Sequence, residues 1–361
     1  MKIGFFLRDF KFEGVQIVVA RLVNELISKG HDCELITLTD NANIILNHDV
    51  KCHSLNINEK FSYKQAIKHV NKFNCLLLEL EKEKKFDVIF SVHGETNDII
   101  SYIDNNRLVY CIHNSDETSY YKKNIINRFR FKRKLAKKIQ NKHVICVSDG
   151  IKTFIENNID QRYISLTRIY NPFNFKEILE SANQEIVEEL PEKYIIFVGR
   201  LEKQKNIFLL LHSLFYIEND ISLIIMGEGS LEDSIRKEII KLKLSDRVVI
   251  LPFTDNPYMY IKKAKALVLT SSHEGFGNVL VESLICGTPA ISTNCPSGPS
   301  EILTGELSHH LVNSYNPKVI GNVITKIIGE RRKIYTNNIE NFSSNTIADE
   351  YINYINKIRS H

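Results

Sequence analysis

Two glutamates, Glu274 and Glu282, lie eight positions apart with a Gly-Phe-Gly turn directly after the first. Glycines permit a tight loop in which backbone N–H groups approach a ligand closely. The following residues predict a helix over 279–286, and the first turn of a helix offers unpaired N–H groups and a positive dipole end. At about 1.5 Å of rise per residue, both carboxylates stay near this anion-binding end. The arrangement suits a diphosphate placed between two polyhydroxyl groups.

Two cations, Arg200 and Lys205, lie one loop apart after a predicted strand at 194–198. An arginine can bind two phosphate oxygens at once, whereas a lysine acts as a mobile point charge. A departing diphosphate gains negative charge, so cations held at this position stabilise the transition state more than the ground state. Taken alone, the pair fits surface charge at a helix start. Beside a predicted anion site in the same half of the chain, it favours diphosphate binding.

Other motifs narrow the chemistry. His113 follows a predicted strand and fits a general base, a metal ligand, a hydroxyl contact or a structural histidine, and the residues alone leave these open. The sequence contains no Asp-x-Asp pair and no His/Asp cluster with ligand spacing, so we expect no metal requirement.

Gly227-Glu228-Gly229 begins like a dinucleotide fingerprint, but Glu232 occupies the third glycine position. We interpret this segment as a strand-to-helix turn, which argues against a nicotinamide dehydrogenase.

Both halves of the chain alternate short apolar strands with helical patterns, which predicts an α/β protein with two doubly wound parallel sheets. Ligands of such folds bind outside the carboxyl ends of the strands, here in the cleft that we expect between two domains. A Tyr-Asn-Pro-Phe turn at 170–173 separates the halves. The predicted strands are 3–7, 34–38, 88–91, 108–112 and 144–147, then 194–198, 223–226, 248–251, 266–269 and 290–292; long helical patterns cover 15–28, 64–85 and 345–358, and a polar one runs from 173 to 191.

A basic segment stands out between Lys122 and Lys142, which holds ten basic residues and no acidic one. It fits a solvated helix face, and equally a contact with anionic membrane lipid or an anionic acceptor. Phe131, Leu135 and Ile139 recur at helical spacing and predict an apolar stripe packed on the domain. No recognition motif accompanies the charge, so nucleic acid is not expected as a partner.

Composition predicts a cytoplasmic protein. The seven cysteines are scattered and odd in number, which is typical of a reducing compartment. The longest apolar run, 207–217, is too short to cross a bilayer, and Arg8-Asp9 interrupts the apolar segment after Met1 too early for a signal peptide. Peripheral association with the inner face of the cytoplasmic membrane through the basic segment remains compatible with this expectation.

The chain resembles the family 4 retaining glycosyltransferases of GT-B fold, in particular bacterial members that build lipopolysaccharide, capsule and other surface polysaccharides. The resemblance rests on GRLEKQKN at 199–206, NPYMYIKKAKALVLTSS at 256–272 and EGFG at 274–277. The last glycine of EGFG begins the run GNVLVESLICGTPAISTNCPSGPSEIL, which ends at 303. These motifs cover the second half densely. The first half matches only through GVQ…LVNEL…GH near its start, IHN at 112–114 and VSDG at 147–150.

The resemblance implies a role for each candidate residue. Arg200 and Lys205 correspond to the pair that grips the donor diphosphate, Glu282 to the ribose ligand and Glu274 to the ligand of the donor sugar. His113 corresponds to a histidine near the 6-position of that sugar. Pro252 and Phe253 correspond to the base-binding position, and the other donor contacts are the backbone amides of Phe276, Gly277, Asn278 and Val279. Gly14 corresponds to the loop glycine of the family, although Glu13-Gly14 departs from the usual Gly-Gly.

The resemblance also implies the reaction and the division of labour. A hexose or N-acetylhexosamine would pass with retention, without a metal or other cofactor, from a nucleotide sugar, by default a UDP-sugar, to a glycan or lipid-linked acceptor. Residues 1–172 would form the acceptor-binding domain, where Arg8, Asp9 and the basic segment are further candidates. Residues 173–344 would bind the donor, and 345–361 would form a helix that packs back on the first domain. The alternatives are a nucleotide-sugar epimerase of the same fold and a non-catalytic, glycosyltransferase-like partner subunit.

Overall fold

The computed structural model describes residues 1–11, 13–40, 46, 50–57, 61, 63–330 and 339–360, with the backbone alone at 63 and 64. The chain divides into two compact units. Unit 1 comprises Met1–Phe173 and Phe342–His361, and unit 2 comprises Asn174–Asn341. Each unit is built around its own parallel sheet.

Unit 1 contains a seven-stranded parallel sheet of order β3-β2-β1-β4-β5-β6-β7. The order reverses between β1 and β4, which creates a switch point where the loops after these two strands part. Its strands are β1 (Lys2–Leu7), β2 (Asp32–Thr37), β3 (Lys51–Ser54), β4 (Val88–Ser91), β5 (Leu108–Ile112), β6 (His143–Cys146) and β7 (Ser165–Arg168); its helices are α1 (Gly14–Ser28), α2 (Tyr63–Leu80), α3 (Gly94–Ile100), α4 (Glu117–Tyr121), α5 (Ile125–Ile139), α6 (Asp149–Asn158) and the C-terminal helix (Ser344–Arg359).

The C-terminal helix completes the core of unit 1. Its apolar residues Ile347, Tyr351 and Ile355 are buried in the same cluster as Val19 and Val23 of α1. Spacing of four residues puts these side chains on one helix face, so that face is covered while the other stays in water. The helix therefore belongs to the first unit although it lies last in the sequence.

Unit 2 contains a six-stranded parallel sheet of order β10-β9-β8-β11-β12-β13, with its switch point between β8 and β11. Its strands are β8 (Tyr194–Val198), β9 (Ser222–Met226), β10 (Val248–Leu251), β11 (Leu267–Leu269), β12 (Ala290–Thr293) and β13 (Leu311–Val312); its helices are α7 (Phe175–Ala182), α8 (Ile207–Ser213), α9 (Glu232–Lys241), α10 (Tyr258–Lys263), α11 (Asn278–Ile285), α12 (Pro299–Ile302) and α13 (Pro317–Ile328), with 3-10 turns at Lys203–Lys205, Leu214–Tyr216 and Gly305–His310.

The predicted α/β class with two Rossmann-like sheets is confirmed. Three short strands on sheet edges escaped prediction: β3 and β7 carry few apolar residues, and β13 is only two residues long. Two helical patterns end earlier than predicted. The one over 64–85 stops at Leu80, before a lysine-rich turn, and the one that ran toward Pro191 stops at Ala182. The assignment of acceptor and donor binding to 1–172 and 173–344 stays a prediction.

Candidate active site

The loop between β11 and α11 holds the predicted anion site. Gly277 precedes the helix with a φ of 96°, a conformation that glycine adopts without strain. A Cβ on Gly298 would lie 1.9 Å from the carbonyl oxygen of Phe276, so a second segment presses directly on this loop. The backbone N–H of Glu274 donates to the carbonyl of Pro296 at 3.2 Å. Close contact with the 296–298 segment thus fixes the loop in front of the helix.

Lys205 and Glu274 form an ion pair in the structure. The Lys205 Nζ lies 2.8 Å from Oε1 of Glu274, and the two side chains are only 15% and 7% exposed. The two loops that carry them are joined by hydrogen bonds, since Gln204 donates to the carbonyl of His273 at 2.7 Å and its own carbonyl accepts from the Ser272 N–H at 2.8 Å. Sequence reasoning placed both residues at one sheet edge but did not predict that they pair, because they are 69 positions apart.

Arg200 lies at the same edge with its side chain exposed, and within the described residues its guanidinium makes no hydrogen bond. The backbone beside it is well anchored. Glu202 accepts from the backbone N–H and the hydroxyl of Ser230, at 2.9 and 2.8 Å. A Cβ on Gly227 would lie 2.1 Å from the carbonyl oxygen of Gly199, so the Gly-Glu-Gly turn serves close packing of this loop. A fixed loop thus presents a cation to solvent.

Glu282 lies one turn into α11, and its Oε1 is 3.5 Å from the hydroxyl of Tyr258 at the start of α10. Tyr258 was not among the predicted residues; its place in the NPYMYI motif was the available signal. Pro252 and Phe253 follow β10 and are exposed, with 45% of Phe253 accessible. Together with Arg200 and the ion pair, these side chains follow the carboxyl ends of β8, β10 and β11, so unit 2 gathers its predicted residues at one edge of its sheet.

Unit 1 carries a second group at its own switch point. Gly14 begins α1, and a Cβ there would meet no atom within 4 Å. Packing therefore does not require glycine at this position, and space is left in front of the helix. Before it, Arg8 pairs with Asp9 at 2.8 Å and with Glu13 at 3.1 Å, and Gln16 donates to Asp9 at 2.8 Å. The unusual Glu13 is thus part of a charged network that holds the loop.

Two histidines complete this edge. His113 follows β5, and its Nε2 is enclosed without a hydrogen-bond partner among the described residues. His93 follows β4 and its Nδ1 accepts the Arg8 N–H at 3.3 Å. Burial lowers the pKa of His93 to about 4, and burial together with His93 lowers the pKa of His113 to about 3. Both rings are neutral at physiological pH. Sequence reasoning missed His93, although it repeats the strand–histidine pattern of His113.

The basic segment folds largely as α5. Ile139 is buried, and Leu135 and Phe131 are half-buried, so the predicted apolar stripe does pack on the domain. One expectation was wrong: Lys142 is not part of a charged surface, since only 2% of it is exposed and its Nζ donates to the carbonyl of Ile103. Lys138 pairs with Asp98. The remaining eight basic residues of the segment stay at least partly exposed.

Potential metal ligands lie elsewhere. Among the described residues, His309, His310 and Glu330 are the group whose ligand atoms lie within 4.8 Å of one another. None of them belongs to the predicted site, and His310 already uses its Nδ1 toward the carbonyl of Ala290 at 2.8 Å. The expectation of a metal-independent reaction stays a prediction.

Comparison with known proteins decides the family. The family model described as "Glycosyltransferase Family 4" matches residues 12–176, and the one described as "Glycosyl transferases group 1" matches residues 180–345. The chain belongs to the family 4 glycosyltransferases. Both halves of the chain are matched, including every residue of the predicted site.

Curated relatives agree with this assignment. A Campylobacter jejuni protein named N-acetylgalactosamine-N,N'-diacetylbacillosaminyl-diphospho-undecaprenol 4-alpha-N-acetylgalactosaminyltransferase is 38% identical over 134 residues, or 37% of this chain and 36% of the relative. The lipopolysaccharide 1,6-galactosyltransferase of Escherichia coli K12 is 32% identical over 188 residues, which is half of each chain. The matches thus span half or less of the length of these two relatives.

Solved structures confirm the GT-B fold. A structure of Anabaena HepE in complex with UDP and glucose aligns with a TM-score of 0.76 at 18% identity, over 99% of this chain and all of the other. The apo form of the lipopolysaccharide outer core galactosyltransferase WaaB aligns with a TM-score of 0.70 at 22% identity, over 99% of both chains. None of the helices in the described part of the chain has the length and apolar character needed to cross a bilayer.

Proposed function

We propose that the protein transfers a hexose or N-acetylhexosamine, with retention, from a nucleotide sugar to a glycan or lipid-linked acceptor of a bacterial surface polysaccharide. The observation that carries the proposal is the grouping at the switch point of unit 2. There an exposed arginine and a partly buried Lys205–Glu274 pair lie at the sheet edge where α11 begins, with Glu282 one turn into that helix. This set offers cations to a diphosphate and carboxylates to sugar hydroxyls.

A UDP-sugar is the donor that we propose. The Anabaena structure with UDP and glucose supports a uridine nucleotide, and the exposed Phe253 after β10 offers an apolar ring to its base. Glu282, held near the hydroxyl of Tyr258, would accept hydrogen bonds from the ribose hydroxyls. Backbone N–H groups of Phe276, Gly277, Asn278 and Val279 would bind the sugar or the distal phosphate, as the first turn of a helix does.

In the reaction, the oxygen of the acceptor hydroxyl bonds to the anomeric carbon while the bond from that carbon to the phosphate oxygen breaks. The electron pair stays on the leaving diphosphate, and one of its oxygens takes the proton of the hydroxyl. Arg200 and Lys205 would stabilise the charge that grows on the diphosphate. These two cations would do the work that a metal ion does elsewhere, so we expect unchanged activity in the presence of a chelator.

Glu274 has a different role in this proposal. Its carboxylate is 5% exposed and oriented by Lys205, so it would orient the donor sugar through hydroxyl contacts. It need not form a covalent bond, in contrast to the nucleophile of retaining glycosidases. In unit 1, the enclosed Nε2 of His113 would contact a sugar hydroxyl. A neutral ring suits such a contact, because it can donate or accept a hydrogen bond without bringing charge.

The acceptor is proposed from the relatives. The name of the Campylobacter protein specifies a lipid-diphosphate-linked sugar as acceptor, and the Escherichia coli protein acts on lipopolysaccharide. We place the acceptor in unit 1, near the Arg8–Asp9 network and the two histidines. Both acceptor classes are carried on lipid, so the sugar that receives the new bond lies close to a membrane surface.

The test is a transfer assay with a panel of nucleotide sugars and lipid-diphosphate-linked acceptors, in which NMR determines the anomeric configuration of the product. We expect one UDP-sugar to be used with retention. Glu274→Gln should lower the rate by about a hundredfold or more, as loss of a transition-state contact does, whereas the exposed Glu218→Gln should not change it. Inversion, isomerised free nucleotide sugar without transfer, or full activity of Glu274→Gln would each contradict the proposal.

A further inference from the structure

The start of α5 exposes an unusual group of apolar side chains. Ile125 is 84% exposed, Ile126 64% and Phe129 59%, and Tyr121 at the end of α4 is 51% exposed. Residues four apart share a helix face, so Ile125 and Phe129 lie on the same side of the first turns. We call these four residues the α4–α5 tip. All four are exposed to water, and the three in α5 belong to a helix whose later turns bury Ala136 and Ile139.

The tip rests on a rigid base. Tyr120, of which 4% is exposed, packs against Phe131 and Phe154 with ring centroids 5.6 and 5.3 Å apart. The Arg128 guanidinium donates to the carbonyl of Tyr121 and lies 5.5 Å from the ring centroids of both tyrosines. Asn124 caps α5, its side chain accepting the N–H of Asn127 at 2.9 Å. The side chains of the tip are therefore exposed on an ordered segment of backbone.

Positive charge surrounds the tip. The segment from Lys122 to Lys142 has no acidic residue, the nearest acids in the sequence are Asp116 and Glu117 before it, and Asp98 pairs with its Lys138. Apart from the buried Lys142 and the paired Lys138, its basic side chains are at least partly exposed: Lys122, Lys123, Arg128, Arg130, Lys132, Arg133, Lys134 and Lys137. Arg133 lies 5.7 Å from the ring centroid of Phe129, so charge and apolar surface adjoin directly.

We propose that the α4–α5 tip inserts into the interfacial region of an anionic phospholipid membrane, with the surrounding lysines and arginines on the lipid headgroups. Apolar side chains ringed by cations match an interface that is apolar beneath an anionic surface. A second copy of this chain fits less well, because two such faces would bring like charges together. A nucleic acid would match the charge but leave the two isoleucines in water.

The position of the tip relates membrane binding to the delivery of the acceptor. The chain reaches α4 from the carboxyl end of β5, and α5 must run back over about 22 Å to the start of β6. The first turn of α5 therefore lies toward the sheet edge that carries His93 and His113. This step rests on the proposed function: a membrane under the tip would deliver a lipid-linked acceptor to that edge. Membrane binding itself depends on neither donor nor transfer.

The test uses the full chain and sedimentation with phosphatidylcholine vesicles that contain or lack phosphatidylglycerol. We expect binding to the anionic vesicles alone. Combining Ile125→Ser, Ile126→Ser and Phe129→Ser should weaken it about a hundredfold or more, from the apolar area lost. The matched control combines Ile67→Ser, Leu78→Ser and Ile240→Ser, three residues exposed elsewhere, and should bind like the wild type. Arg130→Gln should weaken binding about fivefold, and Lys237→Gln should not.

Insertion can be measured separately, because the chain contains no tryptophan. In Phe129→Trp, anionic vesicles should shift the emission to shorter wavelength, whereas Phe215→Trp, at a residue 54% exposed in unit 2, should show no shift. Binding to neutral vesicles alone, equal loss in both triple variants, or binding without a shift in Phe129→Trp would overturn the proposal. Tip-dependent binding to a polyanion such as double-stranded DNA, with none to vesicles, would overturn it in favour of nucleic acid.

Discussion

The two sheets share the same order over six strands, and unit 1 adds a seventh, yet their switch points carry different side chains. In unit 2 the loops after β8 and β11 bring together a partly buried ion pair and an exposed arginine. In unit 1 the loops after β1 and β4 bring a charged network against His93, with His113 after the next strand, and burial keeps both rings neutral. The fold therefore supplies the same edge twice, and the local sequence decides which charged and neutral side chains lie there.

This difference has a physical basis. A diphosphate brings charge to a protein surface, and preorganised cations stabilise it best when they are fixed before it arrives. A sugar hydroxyl brings no charge, and a neutral imidazole can donate to it or accept from it. On the proposed function, the diphosphate would bind to unit 2, whereas the two neutral histidines of unit 1 would meet only uncharged hydroxyl groups. Each prediction below tests one side of that assignment.

The largest effect should come from the loop that shapes the anion site. Gly298→Ala should lower the free energy of unfolding by about 3 kcal/mol, because its φ of 92° is strained for alanine and the new Cβ would meet the Phe276 carbonyl. Gly287→Ala is the matched control: its φ is 74° but nothing lies within 4 Å, so we expect about 1 kcal/mol. Urea unfolding measures both, and equal losses would show that close packing of the loop is unimportant.

Arg200→Gln should separate binding from stability. Its side chain is exposed and makes no hydrogen bond within the described residues, so the free energy of unfolding should stay within about 0.5 kcal/mol. Affinity for UDP and for inorganic diphosphate should both fall about tenfold to a hundredfold, since charge-assisted bonds to phosphate are lost. Arg236→Gln, which breaks an exposed ion pair with Glu232, should leave both affinities unchanged. If calorimetric titration found the same loss of affinity in both variants, the assignment of Arg200 to the diphosphate would be contradicted.

The histidines of unit 1 should make stability depend on pH. Their pKa values in the folded chain, about 4 and about 3, lie below the ordinary 6.5. As the pH falls below about 6.5, the unfolded chain takes up protons that the folded chain does not, so the free energy of unfolding declines until His93 protonates near pH 4 and His113 near pH 3. Replacing both by asparagine should flatten this decline. A pH profile unchanged in the double variant would mean that the rings are not held neutral.

Tyr258→Phe should give the smallest effect and locate the ribose. Loss of the hydroxyl beside Glu282 should lower the affinity for UDP about two- to tenfold. Inorganic diphosphate has no ribose, so its affinity should not change. An equal loss for both ligands would move Glu282 from the ribose to the phosphates.

Residues in short motifs could be placed from the sequence, whereas contacts between distant loops could not. Arg200, Glu274 and Glu282 stand in short motifs next to predicted strands, so their placement at one edge followed from topology alone. The Lys205–Glu274 pair and the bond between Arg8 and His93 join residues 69 and 85 positions apart. Such contacts depend on loop packing that no local pattern encodes. The contact of His93 with Arg8 depended on such packing, and burial of Lys142 depended on a carbonyl 39 positions away.

The central claim is that unit 2 binds the diphosphate through Lys205, while the partner carboxylate of Glu274 contacts the sugar. The UDP affinity of two single variants tests it most directly. UDP has no donor sugar, so Glu274→Gln removes only a negative charge that competes for Lys205. It should bind UDP as tightly as the wild type or more tightly, although it fails in transfer. Lys205→Gln removes the cation and should weaken UDP binding about tenfold or more. Equal weakening in both variants, or none in either, would contradict the claim.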